Sequence, residues 1–452
     1  MDSTKLKQIY CVPSTNEENN SFVGVRIRNK NIEFHYPESY NITGWDEEKK
    51  CVTDIKELRR DIIEVLHTIS LAKTRTSASQ LTENGISYTY NFALVSYLWI
   101  IRDFFANGFY RNKEKLYKNN AKGKVNWKKT LNTQPIISKG NVIYNNLIAE
   151  VNNDSDTIIT DAHKFCIYDS VRKIGWLFGI PENAYFVVSP TNSLIKKYIT
   201  AIQREIINTF DDIKKIRLNH MLKVLLGVDD SKHISEIVYG VDKYHYIYER
   251  MVDALLGNVT DIETYNPNAT WNVMQTHNTF ADYKASSLRP DTLYMKPATY
   301  LVNAKTRTAY VLDAKYYRYG TTGVIKDLPE TASIQKQVTY GDNLFKNFSD
   351  INVKVIRSAF VLPFNKEKSK FDGLKNSNNE NMAYLGFAKA NWRNGDEHEV
   401  VHAFLIDTKH LISSWSYGNC QDDIDSLIDD IQSYYDNINS SWTLVSDKGK
   451  IK

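Results

Sequence analysis

Arg289-Pro290-Asp291 and Val311-Leu312-Asp313-Ala314-Lys315, whose aspartates are twenty-two residues apart, decide the reading of this chain. Asp313 and Lys315 are two apart on an apolar run that predicts a strand, so both point to one face while Leu312 and Ala314 face a core. Asp291 precedes a neighbouring strand, and a strand pair Leu293–Val302 and Thr308–Tyr316 around an Asn303–Arg307 turn brings its carboxylate beside Asp313. Two converging carboxylates make a hard-oxygen site suited to Mg²⁺, and an ammonium beside them can orient a water or stabilise charge on a phosphate. A bare P-D…D-x-K also arises by chance; the apolar run, the predicted hairpin and the flanking elements give it weight here.

Outward from this stretch, a helix is predicted from Tyr244 to Gly257, with Ile247, Met251, Val252, Leu255 and Leu256 as its apolar face. Glu249 on that helix is either a surface acid or a third acidic group facing the site. A helix follows near Thr331–Phe345, with strands at Val353–Leu362 and near Val400–Ile406, and a last helix at Asp422–Tyr435. The helix after Lys315 carries Gln335, Gln337 and Tyr340, polar residues that face either water or a scissile phosphate. This order predicts an α/β (α+β) core with a mixed central sheet flanked by helices rather than a Rossmann ladder.

The N-terminal part reads differently. Phe22–Ile27 and Asn31–Tyr36 predict a hairpin, Asp54–Lys73 a half-buried helix and Tyr90–Phe105 a second one. Amphipathic patterns at His163–Leu177, Ser193–Phe210 and Ile213–Leu226 predict a mostly helical region with a short β-hairpin segment. The polar stretch Val228–Ser235 suggests a division into residues 1–235, 236–440 and a frayed tail, 441–452. Residues 111–129 hold eight basic residues against Glu114, a local charge of +7 that exceeds the +4 of all 452 residues. Lys113, Lys115, Lys118, Lys122, Lys124, Lys128 and Lys129, with Trp127 among them, form either a phosphate-contacting surface or a solvated loop.

The near-balance of 57 Lys+Arg and 53 Asp+Glu excludes a histone-like polycation. Four scattered cysteines, Cys11, Cys51, Cys166 and Cys420, give no disulfide framework or zinc cluster and fit a reducing cytoplasm. No signal sequence or membrane span is expected. No P-loop is present, so energy coupling would come from a partner. His398-Glu-Val-Val-His402 spells the HExxH of zinc peptidases, but Val400–Ile406 reads as a buried strand, on which residues four apart sit ~13 Å from each other.

Glu249, Pro290-Asp291, Asp313-Ala-Lys315 and Gln337-Val-Thr-Tyr340 together resemble the PD-(D/E)XK nuclease superfamily. The phrases FVGVRI (22–27), DIIEVLHTISLAK (61–73), NFALVSYLWIIRDF (91–104) and KGKVNWKKTLNTQPII (122–137) are similar to the LlaJI-type restriction endonuclease family, related to McrC-like nuclease subunits. The resemblance implies a type II-like site-specific deoxyribonuclease that cuts double-stranded DNA in a bacterial restriction–modification system beside a cognate methyltransferase. It implies Mg²⁺, a role Mn²⁺ can also fill. Asp291, Asp313 and the Ala314 carbonyl would bind the ion, Glu249 would support it or its water shell, and Lys315 would position the water. Gln337 and Tyr340 match the family's Gln/Tyr motif, with Gln335 as the alternative glutamine. Some such systems use an McrB-type AAA+ GTPase. A double-strand cut calls for two active sites, so a homodimer on DNA is expected. The rival expectation is a non-cutting DNA-binding adaptor subunit.

Overall fold

The computed structural model describes residues 8–15, 20–28, 31–74, 87–90, 93–120, 122–138, 141–181, 188–230, 236–276, 279–285, 288, 290–296, 299–301, 304–347, 353–368, 370–376, 378–393, 397–418 and 421–437. Arg289, Cys420 and the tail 441–452 lie outside them. Two compact units form, one from residues 1–90 with 238–452 and the other from residues 91–237. This partition differs from a linear division at 235/236, because strand pairing is indifferent to sequence distance. In one sheet the order is Gln8–Pro13, Asn31–Tyr36, Val23–Arg28, Glu236–Asp242, Ser87–Tyr90, so the first ninety residues share a sheet with residues 238–242.

The second sheet of this unit carries the Asp313 strand. Its order is Thr292–Met295, Ala304–Ala314, Val353–Phe364, Val400–Asp407, Met382–Lys389, with Thr299–Leu301 also pairing with Ala304–Ala314. Val353–Phe364 runs parallel to both Ala304–Ala314 and Val400–Asp407, and the outer strands are antiparallel, which makes the sheet mixed. Both faces are covered. On one, Leu293, Ala309 and Val311 pack with Tyr340 and Leu344 of the Thr331–Asn347 helix. Leu312 and Ala314, pointing the other way, are buried as well. Two-sided burial is what a near-continuous apolar run in a parallel strand requires.

Three expectations differ from the structure. Leu301 pairs with Ala304, so Ala304–Arg307, expected as turn, is strand. Met382–Lys389 is an edge strand that the pattern missed: alanines and Gly386, at a φ of 126° where the register with Val400–Asp407 slips, dilute its β signal. The first half of the chain is richer in strands than a mostly helical region with one hairpin. Asn112–Asn119, Lys124–Val125 and Ile148–Ser155 form a three-stranded sheet, hidden in sequence because the lysine-rich run has no apolar alternation.

The second unit also pairs Ile136–Ser138 with Asn141–Ile143 and is built mainly on four long helices. Leu94–Asn107, Ile158–Ile174, Asn192–Asn208 and Asp212–Asp230 bury Ile100, Phe165, Ile167, Ile202, Leu218 and Met221. Thr157 caps the second of these by accepting from the Thr160 backbone N–H, with the reciprocal bond completing a capping box. Among the described residues no helix is long and apolar enough to cross a membrane, and Cys11, Cys51 and Cys166 are free thiols.

Candidate active site

The antiparallel register Thr292↔Leu312, Leu293↔Val311 puts Asp291 on the next rung, opposite Asp313. Leu293 and Val311 share the core on the face of the Thr331–Asn347 helix, so alternation carries both carboxylates to that same face one step further on. Asp313 is only 5% exposed. The Ala314 N–H donates to Asp291 Oδ2 at 3.0 Å, and Lys315 Nζ lies 2.7 Å from Asp313 Oδ2. Burying an ionised carboxylate is costly unless it is paired, and these contacts are the local compensation.

The strand end is pinned on every side. The Lys315 N–H donates to the Val361 carbonyl at 2.8 Å. Tyr316 packs its ring against Tyr244 and Tyr248, and its hydroxyl accepts from the Glu38 N–H at 2.6 Å. Tyr248 also donates to the Val361 carbonyl at 3.3 Å. Ile247, Tyr248, Met251 and Val252 bury the inner face of His245–Leu256, which leaves Glu249 half-buried and close enough for its charge to act on Asp291.

The electrostatics follow from this crowding. Burial, then the Asp313 charge and a hydrogen bond to its side chain, then Glu249, push the Asp291 pKa well above the carboxylate range, with Lys315 opposing. Two carboxylate charges this close oppose each other, which is the second cause of the shift. Burial acts to lower the Lys315 pKa, but Asp313 and Asp291 outweigh it and the ammonium is held above its ordinary value. Lys315 is therefore a cation throughout the neutral range and not a base. Burial and the same two carboxylates raise the Tyr340 pKa, keeping the phenol protonated.

The residues present fit a divalent cation. Two buried hard-oxygen donors in contact make a place where a dication would satisfy both charges. Two carboxylates converge, and the described residues hold no cluster of three or more His, Cys, Asp or Glu side chains suited to a metal ion. The pKa direction has a testable consequence. An acid whose folded pKa is raised destabilises the fold progressively as pH rises from the unfolded value, ~3.9, through the folded one. Asp291→Asn, which still accepts from the Ala314 N–H, is expected to raise the metal-free Tm at pH 7 by about 2 °C or more, with the gap closing toward pH 4. Thermal melts across pH check this; identical curves for variant and wild type would mean the carboxylates do not meet.

Gln337 and Tyr340, three apart, lie on the buried face of the Thr331–Asn347 helix, while Gln335 faces water. Gln337 is fully buried, and neither its Nε2 nor its Oε1 has a hydrogen-bond partner among the described residues. Tyr317 escaped the sequence reading; it adds to the field that holds Lys315 protonated, and its two-residue spacing from Lys315 was the available signal.

His398 and His402 form no metal pair. His398, in the short turn Glu397–Glu399, contacts Asp342 Oδ1 at 2.9 Å, whereas His402, on the strand, contacts Tyr384 Oη at 3.0 Å. Glu399 accepts from Arg393 Nε at 2.7 Å. Burial and Arg357 push the His402 pKa down to about 3, so it stays neutral.

Much of the described basic stretch lies in strands and a short helix, Asn112–Asn119, Lys124–Val125 and Trp127–Thr130. Lys113 and Lys115 lie on Asn112–Asn119, with their side chains outside the description. Lys118, Lys122, Lys124, Trp127, Lys128 and Lys129 are exposed. Lys129 Nζ sits 3.2 Å from the centre of the Tyr117 ring, a cation–π contact.

Comparisons with known proteins speak to the chain's family. The chain is 25% identical over 278 residues to the type II restriction enzyme BsuMI component YdjA of Bacillus subtilis, covering 58% of this chain and 56% of that protein. It therefore spans little more than half the length of that relative. A chain in the solved assembly of Thermococcus gammatolerans McrB AAA+ hexamers with bound McrC superimposes with a TM-score of 0.36 and 12% identity, over 93% of this chain and 83% of that one. The LlaJI restriction endonuclease family model matches residues 22–409, a span that takes in the Asp291, Asp313 and Lys315 constellation and most of both units, and the chain belongs to that restriction-system family.

Proposed function

We propose that this protein is a Mg²⁺-dependent, site-specific nuclease of the PD-(D/E)XK type that hydrolyses phosphodiester bonds of double-stranded DNA. The observation that carries the reading is the rung at which Asp291 and Asp313 meet, with Lys315 Nζ 2.7 Å from Asp313. Asp291, Asp313 and the Ala314 carbonyl would hold the ion, with Glu249 ordering its waters. Bound there, Mg²⁺ supplies Lewis-acid polarisation of the phosphate and a more acidic water. Lys315, a permanent cation, orients the attacking water and stabilises negative charge growing on the phosphate. Gln337 brings an unpartnered amide to the same helix face, suited to a non-bridging phosphate oxygen, and Tyr340 brings a protonated phenol. The lysines of residues 113–129 supply further phosphate contacts.

Residues 236–440 would make up the nuclease, with the first ninety residues completing its scaffold. Two copies on DNA account for a double-strand cut, and a cognate methyltransferase protects host sites. Plasmid incubated with the purified chain should give discrete fragments with Mg²⁺, or with Mn²⁺, and none with EDTA; uncut plasmid in every case defeats the reading. One observation favours a second reading, a subunit of a multi-part enzyme that works with other subunits such as an AAA+ GTPase: the Bacillus relative is itself named a component. Under that reading cleavage appears only when the partner subunits are added.

A further inference from the structure

We propose that the helix Asn192–Asn208 is the element with which this protein docks on duplex DNA, a surface separate from the lysines of residues 113–129. The inference rests on the reading of the chain as a DNA-acting protein. Ile195, Tyr198 and Ile202 bury the inner face of the helix. Every exposed position on it, from Asn192 to Asn208, is neutral or cationic, and Lys196, Lys197 and Arg204 share one face at helical spacing with Thr200 between them. Together with Ile158 these residues line an open groove of about 520 Å³.

Several cations elsewhere in the same unit are paired. Lys164 is neutralised by Asp156, Arg172 and Lys173 by Asp169, Lys214 by Glu205 and Arg217 by Asp103. The one acid on the helix, Glu205, is turned to Lys214 and Tyr110. Among the described residues Lys196, Lys197 and Arg204 have no ionic partner. Three unpaired cations on one ridge call for a polyanion.

The dimensions suit a duplex. Lys197 and Arg204 are seven residues apart, about 11 Å along the axis at 1.5 Å per residue, close to three base-pair steps of 3.4 Å. A helix of 10–12 Å diameter fits a major groove ~12 Å wide, in which the cations reach phosphates while Thr200 and Gln203 face base edges.

Titrating a fluorescent duplex with the full chain in EDTA at several salt concentrations tests this without cleavage. Each phosphate contact contributes about 0.9 to the slope of log K against log salt. The triple variant Lys196→Ala, Lys197→Ala, Arg204→Ala should therefore bind at least about 30-fold more weakly at 100 mM salt and lose about 2.7 from the slope. Arg204→Ala alone should lose about 0.9, which keeps the test readable if the triple variant fails to fold. An unchanged slope overturns the proposal, as does a wild-type chain that binds no duplex. Competition by poly-glutamate as effective as by DNA at equal charge would assign the face to an acidic protein instead. Binding is read without turnover, so a catalytically silent chain with the expected slopes would defeat the nuclease reading and leave this one standing.

Discussion

Asp313→Asn is expected to cut plasmid DNA about 10³-fold or more slowly than the wild type at saturating Mg²⁺, with binding of uncut DNA in EDTA unchanged within about threefold. The substitution is nearly isosteric on a strand end held by the Val361 carbonyl and Tyr316, so the fold should persist. What it removes is one of two anionic donors, the partner of Lys315, and the neighbouring charge that helps raise the Asp291 pKa. A divalent ion at 100 times its Kd stabilises the fold that binds it by about 2.7 kcal/mol, so the wild-type melting temperature should rise with Mg²⁺ and that of the variant should rise less. Two readouts separate chemistry from folding: single-turnover cleavage, and the Mg²⁺-dependent melt. Cleavage within tenfold of the wild type would remove Asp313 from the site and the nuclease assignment with it.

Lys315→Ala is expected to lower the single-turnover rate by about 10²–10³-fold while DNA affinity stays nearly unchanged. The rank below Asp313 follows from its task. Lys315 stabilises developing charge and orients water, whereas the carboxylates would hold the ion itself. The raised pKa adds a signature: a group that is a cation throughout the neutral range leaves no limb of its own in the pH–rate profile there, so the loss in the variant should be uniform from pH 6 to 9. A loss confined to one end of that range would mean that Lys315 acts as a titrating base. In the metal-free protein its removal leaves Asp313 without its ionic partner, and the melting temperature should fall; Mg²⁺ should recover most of that loss by supplying the missing positive charge.

The residues differ in how legible they were from the chain alone. Asp313 and Lys315 could be paired on one face because a strand repeats every two residues, and the apolar run around them announced the strand. The choice between Gln335 and Gln337 could not be made from spacing, since both sit on a helix whose rotation about its axis was unknown. Packing of Val338, Tyr340, Gly341 and Leu344 sets that rotation and turns Gln337 inward. At Gly341 the helix comes so close to His398 that a β-carbon would lie 2.9 Å from its side chain, a close approach that only glycine permits. The sequence reading set Leu312 and Ala314 toward a core; in the sheet Val311, on the opposite face, is buried too, because helices cover both sides.

Local chemistry was enough to determine the helices and strands with strong periodicity, the carboxylate–lysine motif, and the strand that disqualifies His398-Glu-Val-Val-His402 as a zinc grip, since each depends on residues a few positions apart. Tertiary structure decided the rest: that residues 1–90 join the sheet of residues 238–242, that Asp291 lands opposite Asp313, and that the cations of Asn192–Asn208 find no acid across the core among the described residues. Those outcomes depend on register, on helix rotation and on which charges meet across a core. Each is settled by the sum of many weak contacts between segments distant in sequence, which no short stretch of the chain encodes.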